Sequence, residues 1–272
     1  MILDAGCDQF GGEARPELII QLVESGRVAL SRLDQSARRL LAAKFALGLF
    51  DRRHVDPHRA GRIVGNAEFI SAGLDAQRRS HTLLTNRDDL LPLGRGVRIY
   101  VENIDPEIAG HYAQLVDTPQ EADVAVIRLQ APYELRPGGL QALFHAGSLE
   151  YPADQRRRHL ELCATVPTVA GVYLDRPAVL THLADHAQAL IAGYGSTDQT
   201  FLDIVFGLAE PEGRLPFDLP SSMTAVIASR PDIALRHRGP ALSLRTRPEL
   251  STLGARVRPY HLNYNRYGRN AK

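Results

Sequence analysis

The sequence contains no tryptophan and only two cysteines in 272 residues. Two cysteines, Cys7 and Cys163, are too few for a disulfide framework, and neither has metal-ligand spacing, so we interpret both as reduced structural thiols. Without tryptophan, the chain cannot offer an indole ring as a stacking surface, which sugar sites often use. The G-x-S-x-G and H-E-x-x-H motifs are also missing, so neither a serine hydrolase nor a zinc protease is indicated.

The chain also has no large excess of positive or negative charge and no long apolar run. The net charge of +1 at pH 7 creates no global field that would favour nucleic acid or a membrane surface. No apolar run approaches the roughly 18 residues of a membrane helix, and the N-terminus is not signal-like. We therefore expect a cytoplasmic protein that binds neither a membrane nor nucleic acid, unless an earlier segment carried a signal.

The N-terminal part of the chain predicts short helices instead of a complete domain. Apolar residues at helical spacing predict one helix over Pro16–Glu24 and a second that has Ser31 as its N-cap and stops at Gly48. Residues 51–66, which contain Asp51, Pro57, Gly61 and Gly65, predict a linker. A third helix is predicted from about Ala67 to Leu84.

Four short segments rich in β-branched residues then alternate with helix-length stretches. They are Val97–Val101, Asp123–Leu129, Thr168–Leu174 and Ala189–Ala192. Little polar alternation within them predicts a mostly parallel sheet buried on both faces by helices. The predicted fold class is therefore α/β, a three-layer α/β/α sandwich. Because ligands bind beyond the carboxyl ends of such strands, the loops after Leu129, Leu174 and Ala192 are the first places to look.

The loop after the second predicted strand is the richest in candidate chemistry. Glu134 lies between Tyr133 and Arg136 in sequence order, and the Gly138–Gly139 pair predicts a mobile or tightly turned backbone. A carboxyl group on a lid can lose water when the lid closes, which suits a general acid. The alternative is that Glu134 and Arg136 form an ordinary solvated surface pair.

Other side chains compete with Glu134. Glu150 and Asp154 are predicted near the start of a helix, where negative charge is stabilised. His145 is interpreted as a hydrogen-bonded structural imidazole. The Asp175–Arg176 pair at the end of a strand could contact a ligand or merely close a turn. Gly193–Ser196 resembles a phosphate-binding turn only loosely, because a third glycine and the P-loop lysine are missing.

Six stretches of the chain, in consistent order, resemble glycoside hydrolase family 3, the β-glucosidase and β-xylosidase group. They are LDAGCDQFGGE (Leu3–Glu13), SGRV followed by LDQSARRLLAAKFALGLFD (Ser25–Asp51), AQRRSHTLLTNRDDLLPL (Ala76–Leu93), EADVAVIRL (Glu121–Leu129), SLEYPADQ (Ser148–Gln155) and FGLAEPEGRLPFDLP (Phe206–Pro220). Each stretch alone is moderately specific, whereas their shared order supports the assignment strongly.

The resemblance implies a retaining hydrolysis of β-glycosidic bonds between a barrel domain and an α/β sandwich domain. In that reaction an aspartate nucleophile and a glutamate proton donor lie about 5–5.5 Å apart. The family's nucleophile lies in a Ser-Asp-Trp-like motif that does not occur here, which implies that Met1 falls after it in an N-terminally truncated chain. The resemblance implies no cofactor and no metal.

The resemblance also points to Glu134 as the general acid/base. The family's acid is carried in a PY-x-E-like loop, and the PYELR segment places Glu134 directly after Tyr133. The family pattern places its glutamate one position further along, where this sequence has Leu135. No substrate-binding residue is assigned by the sequence.

We expect three regions along the chain. Residues 1–57 would be the end of the barrel domain and a linker, a short helical remnant, and residues 58–232 would be the α/β sandwich. Residues 233–272 would form a divergent basic tail without fixed structure, and a nucleic-acid arm is the other interpretation of its arginines. The family's PFG-x-GLSY-like motif does not occur in this tail.

Two classes of function follow. In the first, the chain is a fragment of a β-glucosidase-like enzyme that is inactive alone, because it lacks the nucleophile. Its expected partners are a weakly bound β-linked saccharide or glycoside and a chain that carries the barrel domain. In the second, it is a non-catalytic carbohydrate-binding or subunit-docking domain.

Overall fold

The computed structural model describes residues 2–12 and 14–229, and the predicted basic tail at 233–272 lies outside them. The described chain forms two compact units, one up to Ile70 and one from Ser71 onwards. The predicted division after residue 57 remains a prediction. Within the described residues, no helix combines the length and the apolar character that crossing a bilayer requires.

Helices and strands alternate through most of the described chain. The helices are α1 (Pro16–Glu24), α2 (Leu30–Ala46), α3 (Pro57–Ile63), α4 (Ala67–Ser80), α5 (Pro106–Ala109), α6 (Ala153–Thr165), α7 (Thr181–His186), α8 (Asp198–Val205) and α9 (Met223–Ala228). The strands are β1 (Thr82–Asn86), β2 (Arg98–Glu102), β3 (Gln114–Leu115), β4 (Val124–Gln130), β5 (Thr168–Tyr173) and β6 (Ala189–Gly193). Short 3₁₀ turns cover Arg87–Asp89, Pro119–Glu121 and Gly139–Leu143.

Arg32 of α2 organises the first unit. Its guanidinium group donates hydrogen bonds of 2.9–3.2 Å to the carbonyl oxygens of Leu3 and Cys7 and to the carboxylate of Asp8. Hydrogen bonds from Ser36 and Arg39 lower the pKa of Asp8 to about 2. The segment before α1 is therefore fastened to α2 by polar contacts.

The start of α2 differs from the sequence prediction. Ser31 was expected to be the N-cap, but the helix begins at Leu30 and Ala29 is the N-cap residue. The reason is that the extended backbone before the helix ends at Ala29, so Ser31 already lies inside the first turn.

The second unit contains a sheet whose strands lie in the order β1-β6-β5-β4-β2-β3. β1 runs antiparallel to β6, and the other neighbouring pairs are parallel. The four predicted strands correspond to β2, β4, β5 and β6, with ends that differ by at most one residue. The predicted α/β class with a mostly parallel sheet is confirmed.

Both faces of this sheet are buried, as β5 illustrates. Ala170 and Val172 point into a core that includes side chains of α6 and α7. Val169 points into the opposite core, which includes side chains of α5 and α8. Successive side chains of a strand alternate between faces, so a strand covered by helices on both sides must be apolar throughout.

The strand β1 was not predicted, and the helix expected to reach Leu84 ends at Ser80. Contacts with residues far along the sequence determine where the helix α4 ends and the strand β1 begins. Thr82 pairs with Ala192 of β6, and the amide of Gly213 donates to the carbonyl oxygen of His81 at 2.9 Å. These contacts override the helical pattern of the local sequence. The expected linker at 51–66 also contains a helix, α3.

Gly171 of β5 lies under the ring of Phe201. A Cβ atom at Gly171 would come within 2.5 Å of Phe201 Cε2. We expect Gly171→Ala to lower the free energy of unfolding by about 1–3 kcal/mol, because the added methyl group overpacks this core. Urea denaturation measures the change. Gly73→Ala in α4 is the control, since no atom lies within 4 Å of the added group. Equal losses in the two variants would contradict this packing argument.

Candidate functional site

The loops that follow β4 and β5 meet beyond the carboxyl ends of these strands. The imidazole of His145 donates a hydrogen bond from Nδ1 to the carboxylate of Asp175. Arg176 donates to the carbonyl oxygen of Gly147 at 2.8 Å. Asp175 and Arg176 therefore hold the distal half of the long loop after β4, and His145 is a structural imidazole, as the sequence predicted.

Glu134 is held by the main chain of its own loop. Its backbone amide donates to the carbonyl oxygen of Ala146 at 2.9 Å, in an isolated antiparallel bridge. Its carboxylate oxygen Oε1 accepts a hydrogen bond from the amide of Ser148, also at 2.9 Å. Within the described residues, no hydrogen bond to Oε2 is found. One oxygen is thus anchored while the other can interact with a ligand.

The carboxyl group of Glu134 lies against Gly147. A Cβ atom at Gly147 would lie 2.3 Å from Glu134 Cδ, closer than any real contact. Gly147 also has a φ of +79°, a conformation that side chains rarely adopt. Both the backbone and the space at this position require glycine.

An aromatic pair supports the residue before Glu134. The rings of Tyr133 and His145 are stacked with centroids 3.8 Å apart and planes 9° apart. Because His145 is also hydrogen-bonded to Asp175, the stacked rings connect the first half of the loop after β4 to the end of β5. The position of Glu134 is therefore fixed from both sides of the loop.

A cavity of about 270 Å³ lies beside Glu134. Its lining consists of Pro132, Tyr133, Glu134, Ser148, Glu150, Tyr151, Pro152 and Arg156. Tyr151 is buried, donates its hydroxyl hydrogen to the carbonyl oxygen of Gln130 at 2.9 Å, and has a pKa that burial raises. The cavity is thus lined by two carboxyl groups, Glu134 and Glu150, together with neutral side chains and the cation of Arg156.

The competing carboxylates have other roles. Glu150 Oε1 accepts from the amide of Met223 at 3.2 Å, and Glu150 Oε2 accepts from Arg156 at 3.4 Å. Asp154 lies in the first turn of α6, as expected from its charge. Of the two carboxylates that line the cavity, Glu134 and Glu150, only Glu134 keeps an oxygen without a protein partner among the described residues.

The turn at Gly193–Ser196 is occupied by protein groups. The His81 ring donates from Nδ1 to the carbonyl oxygen of Arg78, 3.2 Å away, so Nε2 accepts from the Ser196 hydroxyl at 3.0 Å. Arg128 donates to the carbonyl oxygen of Ser196 at 2.7 Å and pairs with Asp198. The adjoining cavity of about 10 Å³ is too small for a phosphate group.

Sequence reasoning singled out Glu134 as a candidate, which stays a prediction, but did not single out the residues that position its carboxyl group. Gly147 and Ser148, which contact its carboxyl group, were not singled out, nor was Arg156. The available signal was the glycine directly before the SLEYPADQ stretch. Residues 148–152 precede α6, so this stretch is mostly loop, and Ser148, Glu150, Tyr151 and Pro152 line the cavity.

Comparison with curated proteins finds beta-glucosidases that resemble this chain. No family model matches the chain. A probable beta-glucosidase C of Aspergillus flavus is 51% identical over 243 residues, which cover 88% of this chain and 38% of that protein. A periplasmic beta-glucosidase/beta-xylosidase of Dickeya chrysanthemi is 39% identical over 236 residues, covering 85% of this chain and 36% of that protein.

Solved structures agree on the fold. A mutant beta-glucosidase from Listeria innocua, in complex with laminaribiose, superposes with a TM-score of 0.59 at 21% identity over 75% of this chain and 34% of that chain. The similarity to these curated beta-glucosidases bears out the resemblance to glycoside hydrolase family 3 that the sequence motifs carry. It spans less than two fifths of the length of these two curated relatives.

His81 provides a pH dependence of stability. Burial lowers the pKa of His81 below the value of about 6.5 that a histidine has in an unfolded chain. Above that pH neither state binds the proton. As the pH falls below it, the unfolded state takes up a proton that the folded state does not, so stability decreases until the folded pKa is reached.

We therefore expect His81→Gln to lose less stability than the parent protein between about pH 7.5 and about pH 5.5. Urea unfolding at several pH values measures the difference. His111→Gln is the matched control, because His111 is exposed in the same unit. Equal pH slopes for the parent and the His81 variant would show that His81 titrates alike in both states.

Proposed function

We propose that this chain forms the proton-donor part of a retaining β-glucosidase, with Glu134 as general acid/base. The observation that carries the proposal is the carboxyl group of Glu134 beside the 270 Å³ cavity, with Oε1 anchored by the Ser148 amide. The names of the relatives support the reaction class. Because the chain spans only part of their length, its activity is a proposal.

The geometry suits the two tasks of an acid/base. When Glu134 is protonated, the anchored Oε1 can remain the acceptor of the Ser148 amide while Oε2 carries the proton to the glycosidic oxygen. In the second half of the reaction, the same oxygen can take a proton from water. The fixed loop keeps this oxygen in one place through both steps.

The second carboxylate of a retaining mechanism must come from elsewhere. The other carboxylate in the cavity lining is Glu150, and both of its oxygens are engaged by Met223 and Arg156. The sequence has no Ser-Asp-Trp motif to supply the nucleophile. We infer that a barrel domain outside these 272 residues supplies it, and that the 272 residues alone do not turn over glycosides.

A β-linked saccharide is the proposed ligand. Support comes from the Listeria innocua beta-glucosidase, which was solved with laminaribiose. The cellular compartment stays a prediction: the sequence suggests the cytoplasm, whereas the Dickeya chrysanthemi relative is named as periplasmic.

A joined protein tests the assignment. The part of the Aspergillus flavus relative that this chain does not match is fused to the chain, and hydrolysis of an aryl β-glucoside is measured. We expect no turnover by the chain alone and turnover by the fusion. In the fusion, Glu134→Gln should lower kcat for poor leaving groups about 100-fold or more, because proton donation is lost. Added azide should restore turnover of a good leaving group as the glycosyl azide.

Glu150→Gln is the matched control and should retain activity within about three-fold, since its carboxylate serves structure. Turnover by these 272 residues alone would contradict the need for a barrel domain. Loss of activity in the Glu150 variant with none in the Glu134 variant would reassign the acid. A folded fusion that binds the glucoside without cleaving it would favour a non-catalytic binding domain.

Alanine substitutions at two glycines distinguish the effect of backbone strain from the effect of displacing the Glu134 carboxyl group. Gly147 and Gly138 have similar φ angles of +79° and +84°, but a Cβ atom meets Glu134 only at Gly147. In the fusion, Gly147→Ala should lower kcat at least ten-fold beyond Gly138→Ala, because about 1 Å of misplacement can cost much of the rate. Circular dichroism confirms folding. Equal kcat values in the two variants would show that the position of Glu134 is not critical.

A further inference from the structure

A single peptide group lies between Arg176, which follows β5, and the carboxyl group of Glu134. Arg176 donates from Nη2 to the carbonyl oxygen of Gly147 at 2.8 Å. The amide of Ser148 belongs to the same peptide group and donates to Glu134 Oε1 at 2.9 Å. This peptide bond is trans, and in a planar trans peptide the C=O and N–H groups point in opposite directions. Arg176 and Glu134 are therefore hydrogen-bonded to opposite sides of one rigid group.

Neither terminal nitrogen of Arg176 is paired with a carboxylate among the described residues. Nη2 is bonded to the Gly147 carbonyl, and Nη1 is buried without a hydrogen-bond partner in this part of the chain. A hydrogen bond from a cation polarises the peptide group that accepts it, and this makes the N–H of that group a stronger donor to a carboxylate. The strength of the bond from Ser148 to Glu134 therefore depends on Arg176.

The backbone on both sides of Arg176 is fastened to the loop after β4. On one side, Asp175 accepts a hydrogen bond from His145. On the other side, the amide of Val179 donates to the carbonyl oxygen of Leu149 at 2.8 Å. The segment that carries the guanidinium group is thus held against the loop that carries the candidate acid.

We infer that Arg176 is a positioning residue for Glu134 and acts through the Gly147–Ser148 peptide group. The inference rests on the proposed role of Glu134 as acid/base. By strengthening the hydrogen bond to Oε1, Arg176 keeps Oε2 as the oxygen that is available for proton transfer. The alternative is that Arg176 only closes the turn after β5 and matters for folding alone.

Kinetics of the fusion with the unmatched part of the Aspergillus flavus relative distinguish these two roles. Arg176→Met removes the charge and the donor but keeps a long apolar side chain. We expect kcat/KM for an aryl β-glucoside with a poor leaving group to fall about ten-fold or more, because a misplaced general acid loses much of its effect. With a good leaving group, which needs no proton, kcat/KM should change less than about three-fold. Arg176→Lys keeps a cationic donor and should lose at most about three-fold with either substrate.

A variant without the acid provides a second comparison. In the Glu134→Gln background, Arg176→Met should lower kcat/KM for the poor leaving group less than about two-fold, since no proton donor is left to position. Arg98→Met is the matched control, because Arg98 forms an exposed ion pair with Asp123 at the start of β2, away from the carboxyl ends of the strands. It should retain kcat/KM within about two-fold. Equal losses with both leaving groups, or the same loss with and without Glu134, would overturn the positioning role.

NMR of the 272-residue chain tests the contact through the peptide group without any turnover. In Arg176→Met the Ser148 amide proton should move upfield, because its hydrogen bond to Glu134 weakens, whereas in Arg98→Met it should keep its position. Circular dichroism confirms that each variant is folded. An unchanged Ser148 amide in Arg176→Met would overturn the inference. An upfield shift in the chain, combined with a folded fusion that does not cleave glucosides, would support this contact and overturn the proposed function.

Discussion

Burial of the parallel sheet on both faces is the constraint from which the rest of the second unit follows. Strands such as β5 place Val169 in one core and Ala170 in the other, so neither face can carry a charged group without a large desolvation cost. The candidate acid and the polar groups that hold it therefore lie in loops beyond the strand ends. Glu134 leaves the end of β4 and Asp175 leaves the end of β5, which explains why the two loops meet there.

The candidate acid is positioned by backbone groups and by a neighbouring loop. Main-chain donors and acceptors at Ala146 and Ser148 fix Glu134, and Gly147 leaves room for its carboxyl group. Backbone groups have no rotamers of their own, so such an anchor holds a side chain more accurately than a second flexible side chain would. The bond between His145 and Asp175 extends this support to the end of β5.

The central strands were predictable because their signal is local. β-branched runs such as Thr168–Tyr173 carry their own evidence for burial. β1 was missed because its pairing partner, Ala192, lies far along the chain. The same reason explains why a local motif made Glu134 a candidate, whereas its hydrogen bond with Ser148 was not predicted. Long-range contacts of this kind leave little trace in a single sequence.

The two edge strands of the sheet are short or irregular, which limits pairing of the sheet with strands of other molecules. The edge strand β3 has only two residues. In the other edge strand, β1, the register of pairing with β6 shifts between Leu83 and Thr85. Short or irregular borders offer few consecutive free amide and carbonyl groups to an incoming extended chain. The sheet is thereby protected against growth into intermolecular β-structure, which matters for a fold whose interior strands are rich in amyloid-prone apolar sequence.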